Sequence, residues 1–291
     1  MKTIIVPIDF SDQSFKALQY AGKLAATNKA KVIIFHNLAI IPGLVEKFTL
    51  GNQIFKILTQ LEARLQDLIP LLRRESNFWY EAETYCCAGS FIQNLNDLVF
   101  EKKADLVVMD TKGADSTLER FLCATAVGYI KKAICPVLLV PQDTEPALPK
   151  RLAYVTEFEY DEKLNINQLV PFIQDYKPDV SLVNIRRSHD DDTTKDDQLF
   201  YDLEDQFPNE RVFMTQLFTE NFTEALDEFI QVHQIDLLTV PVPKLSFFED
   251  LFNTSFAWAL IHRATLPVLT LPDAPYRFSY KTDWKLKKVA S

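Results

Sequence analysis

Four polar residues able to do chemistry each follow a short apolar run that is typical of a buried strand: Asp9, His36, Asn37 and Asp110. A carboxylate, an imidazole or an amide in such a position can bind a polar ligand or move a proton. The carboxyl ends of neighbouring parallel strands meet at one edge of an open α/β sheet, and ligands bind there. The sequence therefore predicts a ligand cleft at that edge. For His36, the only histidine placed toward it, we predict a hydrogen-bonded structural role rather than catalysis.

The cysteines offer a second possible chemistry. Cys86, Cys87, Cys123 and Cys135 include an adjacent pair but no Cys-x-x-Cys, so the sequence predicts neither a disulfide framework nor a zinc site, and no other metal site. Buried, reduced thiols are the favoured interpretation. A redox or group-transfer enzyme using Cys86-Cys87 or Cys123 is an alternative, because a thiol near a helix N-terminus can have a lowered pKa. Thiol reactivity separates the two.

Motifs for other catalytic chemistries are missing from the sequence. It contains no Gly-x4-Gly-Lys-Ser, Gly-x-Gly-x-x-Gly, Gly-x-Ser-x-Gly or His-Glu-x-x-His. A net charge of −9 argues against a general nucleic-acid binder, because phosphate contacts need a basic surface. The opening Met1–Pro7 lacks the long apolar core of a signal or membrane anchor, so we expect a cytoplasmic protein with no membrane partner.

An internal repeat organises the elements that must position these residues. Residues 104–108 are echoed by 235–239 and residues 133–141 by 264–272, both at an offset of 131. Two segments sharing one offset indicate duplication. Residues 142–149, which are polar and contain two prolines, interrupt the apolar pattern. We therefore predict two domains, residues 1–146 and 147–291.

Short apolar runs alternate with helical patterns in the first copy, which is the pattern of a doubly wound parallel sheet. Ser11 or Asp12 is the expected N-cap of the first helix. The predicted strands are Thr3–Ile8, Val32–His36, Tyr80–Cys87, Asp105–Met109 and Val137–Val140. The predicted helices are Gln13–Thr27, Gln53–Arg73, Phe91–Lys102 and Leu118–Lys132. In the second copy the predicted strands are Leu152–Thr156, Val180–Ile185, Val212–Leu217, Leu237–Val240 and Val268–Leu271. The predicted fold class is thus α/β, with two tandem, open, parallel five-stranded sheets.

Two segments of the first copy carry a family resemblance. Ile5–Ser11, followed by an alanine-rich helix, resembles the start of a universal stress protein domain, and Val108–Val140 resembles its end. The resemblance implies a Rossmann-like sheet of the adenine nucleotide alpha hydrolase type. It covers the first copy throughout and the second mainly from Leu237 onward.

ATP-binding members of that family carry Gly-x2-Gly-x9-Gly-(Ser/Thr), whose backbone N–H groups cradle phosphates. Aligned there, the first copy reads Asp110-x2-Gly113-x9-Cys123-Ala124, so one glycine survives, and Thr125 offers a shifted hydroxyl. The resemblance names as nucleotide-binding candidates Pro7, Ile8, Asp9, Asn37, Asp110, Gly113, Cys123, Ala124 and Thr125. For Asp9, a ribose or adenine contact is weighed against an N-cap or Asx turn before the first helix.

The second copy departs further from this glycine motif. It reads Pro241-x2-Lys244-x9-Thr254-Ser255, in which Ser255 alone matches, and its prolines lack N–H donors. Lys244, Thr254 and Ser255 are therefore vestigial candidates. Alignment of the first strands places Phe158 where the first copy has Asp9.

The resemblance implies a stress-response binding or signalling module rather than an enzyme. It also implies an intramolecular dimer in which Pro136–Val140 meets Pro267–Leu271, with pairing of two chains into a homodimer as a further option. We expect no cofactor, with ATP in the first domain as the alternative. That alternative is an ATP-binding sensor with weak ATPase activity.

Overall fold

A computed structural model describes residues 1–39, 50–76, 81–111, 126, 128–156, 162–173, 176–186, 212–219, 221–242 and 266–272. In its first half it contains β1 (Thr3–Pro7), α1 (Asp12–Asn28), β2 (Lys31–Leu38), α2 (Leu50–Ser76), β3 (Ala82–Ala88), α3 (Phe91–Lys102), β4 (Leu106–Thr111) and β5 (Val137–Pro141). The second half contains β6 (Arg151–Thr156), α4 (Glu162–Ile173), β7 (Asp179–Arg186), β8 (Val212–Phe218), α5 (Phe222–His233), β9 (Leu237–Val242) and β10 (Val268–Pro272).

The predicted strands and the first three predicted helices are confirmed, with ends shifted by one to three residues. Ser11 is the N-cap of α1, and its side chain accepts a hydrogen bond from the Ser14 N–H. Of the predicted helix at 118–132, Ala126 and residues 128–130 are described and helical. Within the described ranges, no helix is both long enough and apolar enough to cross a bilayer.

The α/β class is confirmed, and each half contributes five strands. All ten strands join in one sheet, in the order β3-β2-β1-β4-β5-β10-β9-β6-β7-β8. Neighbours within each half are parallel, and β5 and β10 are antiparallel. An unpaired edge strand leaves a row of N–H and C=O groups without partners, and pairing β5 with β10 removes two such edges.

The helices cover both faces of this sheet, and both cores cross the junction. On one face, α1, α2 and α4 pack on a cluster that contains Leu138 and Leu269. On the other, α3 and α5 pack on a cluster that contains Val137, Leu139 and Val268. Since side chains alternate across a strand, the junction contributes apolar residues to both faces. Each core is therefore continuous between the halves.

An aspartate side chain accepts backbone hydrogen bonds at the start of the first strand of each half, and we call this arrangement the tether. Asp105 Oδ2 accepts hydrogen bonds from the backbone N–H groups of Lys2 at 2.6 Å and Thr3 at 2.9 Å. Asp236 Oδ1 accepts from the N–H groups of Lys150 and Arg151, each at 3.0 Å. The aspartate shared by the two repeats thus fixes the start of β1 or β6 beside β4 or β9.

Removing this tether is expected to destabilise the protein. In Asp236→Ala, the N–H groups of Lys150 and Arg151 lose a charged acceptor, which costs about 1.5–3 kcal/mol of unfolding free energy. Urea unfolding followed by circular dichroism measures the loss. The matched control is Asp227→Ala, because Asp227 is an exposed residue of α5. This substitution should change the unfolding free energy by less than about 0.5 kcal/mol. Equal losses in the two variants would contradict the tether.

Candidate functional site

The predicted cleft lies at the carboxyl ends of β1, β2 and β4, with a volume of about 210 Å³. Its walls bring together five of the candidate residues: Pro7, Ile8, Asp9, Asn37 and Asp110. His36 and five apolar side chains complete the described lining; the apolar ones are Phe35, Ala39, Phe91, Met109 and Ala126. Gly113, Cys123, Ala124 and Thr125 lie outside the described residues. The cleft is therefore apolar along its base, with polar groups at the strand ends.

Asp9 makes the Asx turn that was weighed against a ligand contact. Its Oδ1 accepts hydrogen bonds from the Ser11 N–H at 3.0 Å and the Ser11 hydroxyl at 2.5 Å. These bonds hold the chain between β1 and α1 and orient the N-cap serine. Asp9 is nevertheless exposed and lines the cleft.

Phe10, next to Asp9, has an uncommon backbone conformation, with φ of 65°. Its ring packs 4.9 Å from the His36 ring, and the Arg64 guanidinium lies 4.1 Å from its centroid. His36 Nδ1 lies 2.7 Å from the Ile8 carbonyl oxygen. This hydrogen bond between His36 and the Ile8 carbonyl agrees with the prediction of a structural histidine. Sequence reasoning missed the contribution of Phe10, because a positive φ at phenylalanine has no local signal.

Asn37 is held by a network that joins β2 to the loop before α3. Its Nδ2 donates to the Gly89 carbonyl at 3.0 Å, and its Oδ1 accepts from Asn94 Nδ2 at 2.8 Å. The Cys87 thiol lies 3.5 Å from the same oxygen. Both ends of the amide are thus occupied, and Asn37 shapes the cleft wall through these contacts.

The described part of the cleft carries negative charge. Asp9 and Asp110 contribute two carboxylates, and among the described lining residues there is no lysine or arginine. Two carboxylates disfavour an approaching triphosphate by like-charge repulsion. A neutral base or ribose is compatible with the apolar base of the cleft.

The corresponding edge of the second half is described only in part, and Lys244, Thr254 and Ser255 lie outside it. Strand register corrects one correspondence: Ile4 pairs with Leu106, and Leu152 pairs with Leu237. Counting from these pairs, Glu157 rather than Phe158 corresponds to Asp9. The earlier alignment was wrong by one residue, because a one-residue slip changes little in a short apolar run.

Three comparisons with known proteins agree on the fold. Residues 1–141 match the model of the universal stress protein family. A universal stress protein of Methanocaldococcus jannaschii is 27% identical over 140 residues, which are 48% of this chain and 81% of that protein. A crystal structure of a universal stress protein from Archaeoglobus fulgidus superposes with a TM-score of 0.72 at 13% identity, covering 94% of this chain and 96% of that one. The crystal structure of a functionally unknown protein from Pseudomonas aeruginosa superposes with a TM-score of 0.60 at 13% identity, covering 94% of this chain and 93% of that one.

Cys86 and Cys87 lie near the cleft on β3 and are free thiols. They are neighbours in a strand, so they face opposite sides of the sheet: Cys86 packs against one core and Cys87 against the other. Burial, with Glu62 and Cys87 adding smaller contributions, raises the pKa of Cys86 to about 11. Burial also raises the pKa of Cys87, against a lowering by Asn94. Neither environment favours a thiolate, and Cys123 lies outside the described residues.

The raised pKa predicts slow and strongly pH-dependent alkylation of Cys86. Because the thiolate is the nucleophile, its rate with iodoacetamide should keep rising above pH 9, where an ordinary thiol levels off, toward about pH 11. Peptide mapping by mass spectrometry measures the rate, with the urea-unfolded chain as the control. A folded-state rate that levels off below pH 9 would contradict the prediction and revive the thiol-enzyme alternative.

Proposed function

We propose that the whole chain is a tandem universal stress protein, with domains at 1–146 and 147–291, because residues 1–141 match the model of that family. In this proposal it is a non-enzymatic, cytoplasmic, stress-response binding and signalling module, without a nucleic-acid or membrane partner. Its two domains form a built-in dimer.

The antiparallel pair of β5 and β10 is the observation that carries this proposal. Val137–Leu139 pairs with Val268–Thr270, and the buried Thr270 hydroxyl donates to the Val137 carbonyl at 3.2 Å. Antiparallel pairing of equivalent last strands relates the halves by a local two-fold axis, as in an isologous homodimer. The mirrored strand order and the two aspartate tethers follow the same relation. The similarity in fold to the Archaeoglobus fulgidus protein over 94% of the chain supports it as well.

We propose further that neither domain is a strong ATP binder, the second even less than the first. The two carboxylates of the described cleft, the Asx turn that occupies Asp9 and the loss of motif glycines all work against a triphosphate. The alternative is a nucleotide sensor with weak ATPase activity. It is favoured by the apolar cleft base beside Asp9 and Asn37, which suits an adenosine.

The nucleotide content of the purified protein separates these two functions. We expect denatured protein to release no stoichiometric nucleotide, and calorimetric titration with ATP to give no saturable heat, because like charges line the described cleft. Retained ATP would establish the sensor instead. In that case Asp9→Ala should weaken ATP binding about tenfold, whereas Asp12→Ala, exposed in the first turn of α1 and outside the cleft, should not.

Cutting the connection between the halves tests the built-in dimer. A protease site can replace Asp143–Pro146, which lies in the segment that links β5 of the first half to β6 of the second. We expect the cleaved halves to co-elute in size-exclusion chromatography, because β5 and β10 share two buried cores. They should separate only in denaturant. The uncleaved variant is the control, and separation into two folded halves under native conditions would rule out the built-in dimer.

A further inference from the structure

A second cavity, of about 440 Å³, lies where the two halves meet. The connection between β5 and β6 forms one wall, α1 contributes Tyr20, and the end of α5 and the residues that precede β9 and β10 form the rest. It shares no described lining residue with the cleft at β1, β2 and β4. Its volume lies within the range of small-molecule sites, which is roughly 300–1,000 Å³.

The lining of this seam cavity is acidic. Asp143, Glu145 and Asp236 contribute three carboxylates, and no lysine, arginine or histidine is among the described lining residues. Two cations donate to carbonyl groups beside the lining residues rather than to these carboxylates: Lys16 Nζ to Gln142 O at 2.7 Å, and Arg151 Nη1 to His233 O at 3.3 Å. The negative charge of the cavity is therefore open to a cationic ligand.

A metal ion does not explain the carboxylates. No group of three or more His, Cys, Asp or Glu residues in the described part of the chain is close enough to hold one. The carboxylates are thus spread around the cavity rather than gathered at one point. This arrangement suits an organic cation, whose charge and body occupy the cavity together.

Two hydroxyl-bearing residues line the cavity wall. Tyr20 is only 2% exposed. Burial, and to a smaller extent the charge of Asp236, raises the pKa of Tyr20, so the hydroxyl stays neutral. Thr144 Oγ1 is buried without a hydrogen-bond partner. A buried hydroxyl without a partner is costly, and a ligand that donates hydrogen bonds would satisfy it.

Apolar side chains supply the remaining described wall, among them Leu148 and Pro267. They give a ligand's hydrocarbon portion a surface to bury. We propose that this seam cavity binds a primary amine with an apolar body, whose ammonium group donates to the Tyr20 hydroxyl and is attracted by the surrounding carboxylates, while its hydrocarbon packs on Leu148 and Pro267. Such a ligand touches both halves and the connection between them. The proposal is independent of nucleotide binding.

Titration of the full-length protein with 2-phenylethylamine tests the site. Two probes of the same shape isolate the charge: 2-phenylethanol, which is neutral, and phenylacetate, which is an anion. We expect calorimetry to give saturable binding of the amine with one site per chain, at least tenfold weaker binding of the alcohol, and none of phenylacetate. Amine binding no tighter than alcohol binding, or no saturable amine binding, would overturn the proposal.

Matched variants place the binding in the seam cavity. Tyr20→Phe removes the hydroxyl alone and should weaken the amine about tenfold. Glu145→Gln removes a charge from an exposed residue of the connection and should weaken it several-fold. Glu228→Gln, an exposed carboxylate of α5 outside the cavity, should leave it unchanged. Thermal unfolding checks that each variant is folded. If Glu145→Gln binds like the unmodified protein, or Glu228→Gln weakens binding equally, the site is not this cavity.

Discussion

The antiparallel pair of β5 and β10 is the interaction on which the rest of the structure depends. Without it, each half would end in an edge strand with unpaired backbone groups, although every residue of both strands is buried in the joined sheet. With it, ten strands share one hydrogen-bonded sheet and two continuous cores. The stability of either half is therefore coupled to that of the other.

The same pair fixes where ligands can bind. Because the strands of the two halves run in opposite directions, the carboxyl ends of β1, β2 and β4 lie at one edge of the sheet and those of β6, β7 and β9 at the other. Ligand clefts at strand ends cannot merge into one site across such a sheet. The seam cavity arises because the connection must pass from the end of β5 to the start of β6, along the edge where β9 and β10 begin.

The polar residues of the first cleft show how one side chain can serve two purposes. Asp9, His36 and Asn37 line the cleft, yet each also has a structural contact: an Asx turn, the Ile8 carbonyl and the loop before α3. Their positions therefore follow from the backbone geometry of the strand ends. The carboxylates of Asp9 and Asp110 set the charge that a ligand meets in the described part of this cleft.

The sequence by itself determined the order of strands and helices, limited the N-cap of α1 to Ser11 or Asp12 and showed the repeated segments, because apolar period, capping residues and repeats are properties of neighbouring residues. The family resemblance implied that the last strands of the two halves meet, and tertiary structure decided that all ten strands form one sheet, the correspondence of Glu157 with Asp9, the hydrogen bonds of Asn37 and the seam cavity. The physical reason is distance along the chain. Lys2 and Asp105 are 103 residues apart, and Val137 and Thr270 are 133 apart, so no local pattern records that they meet.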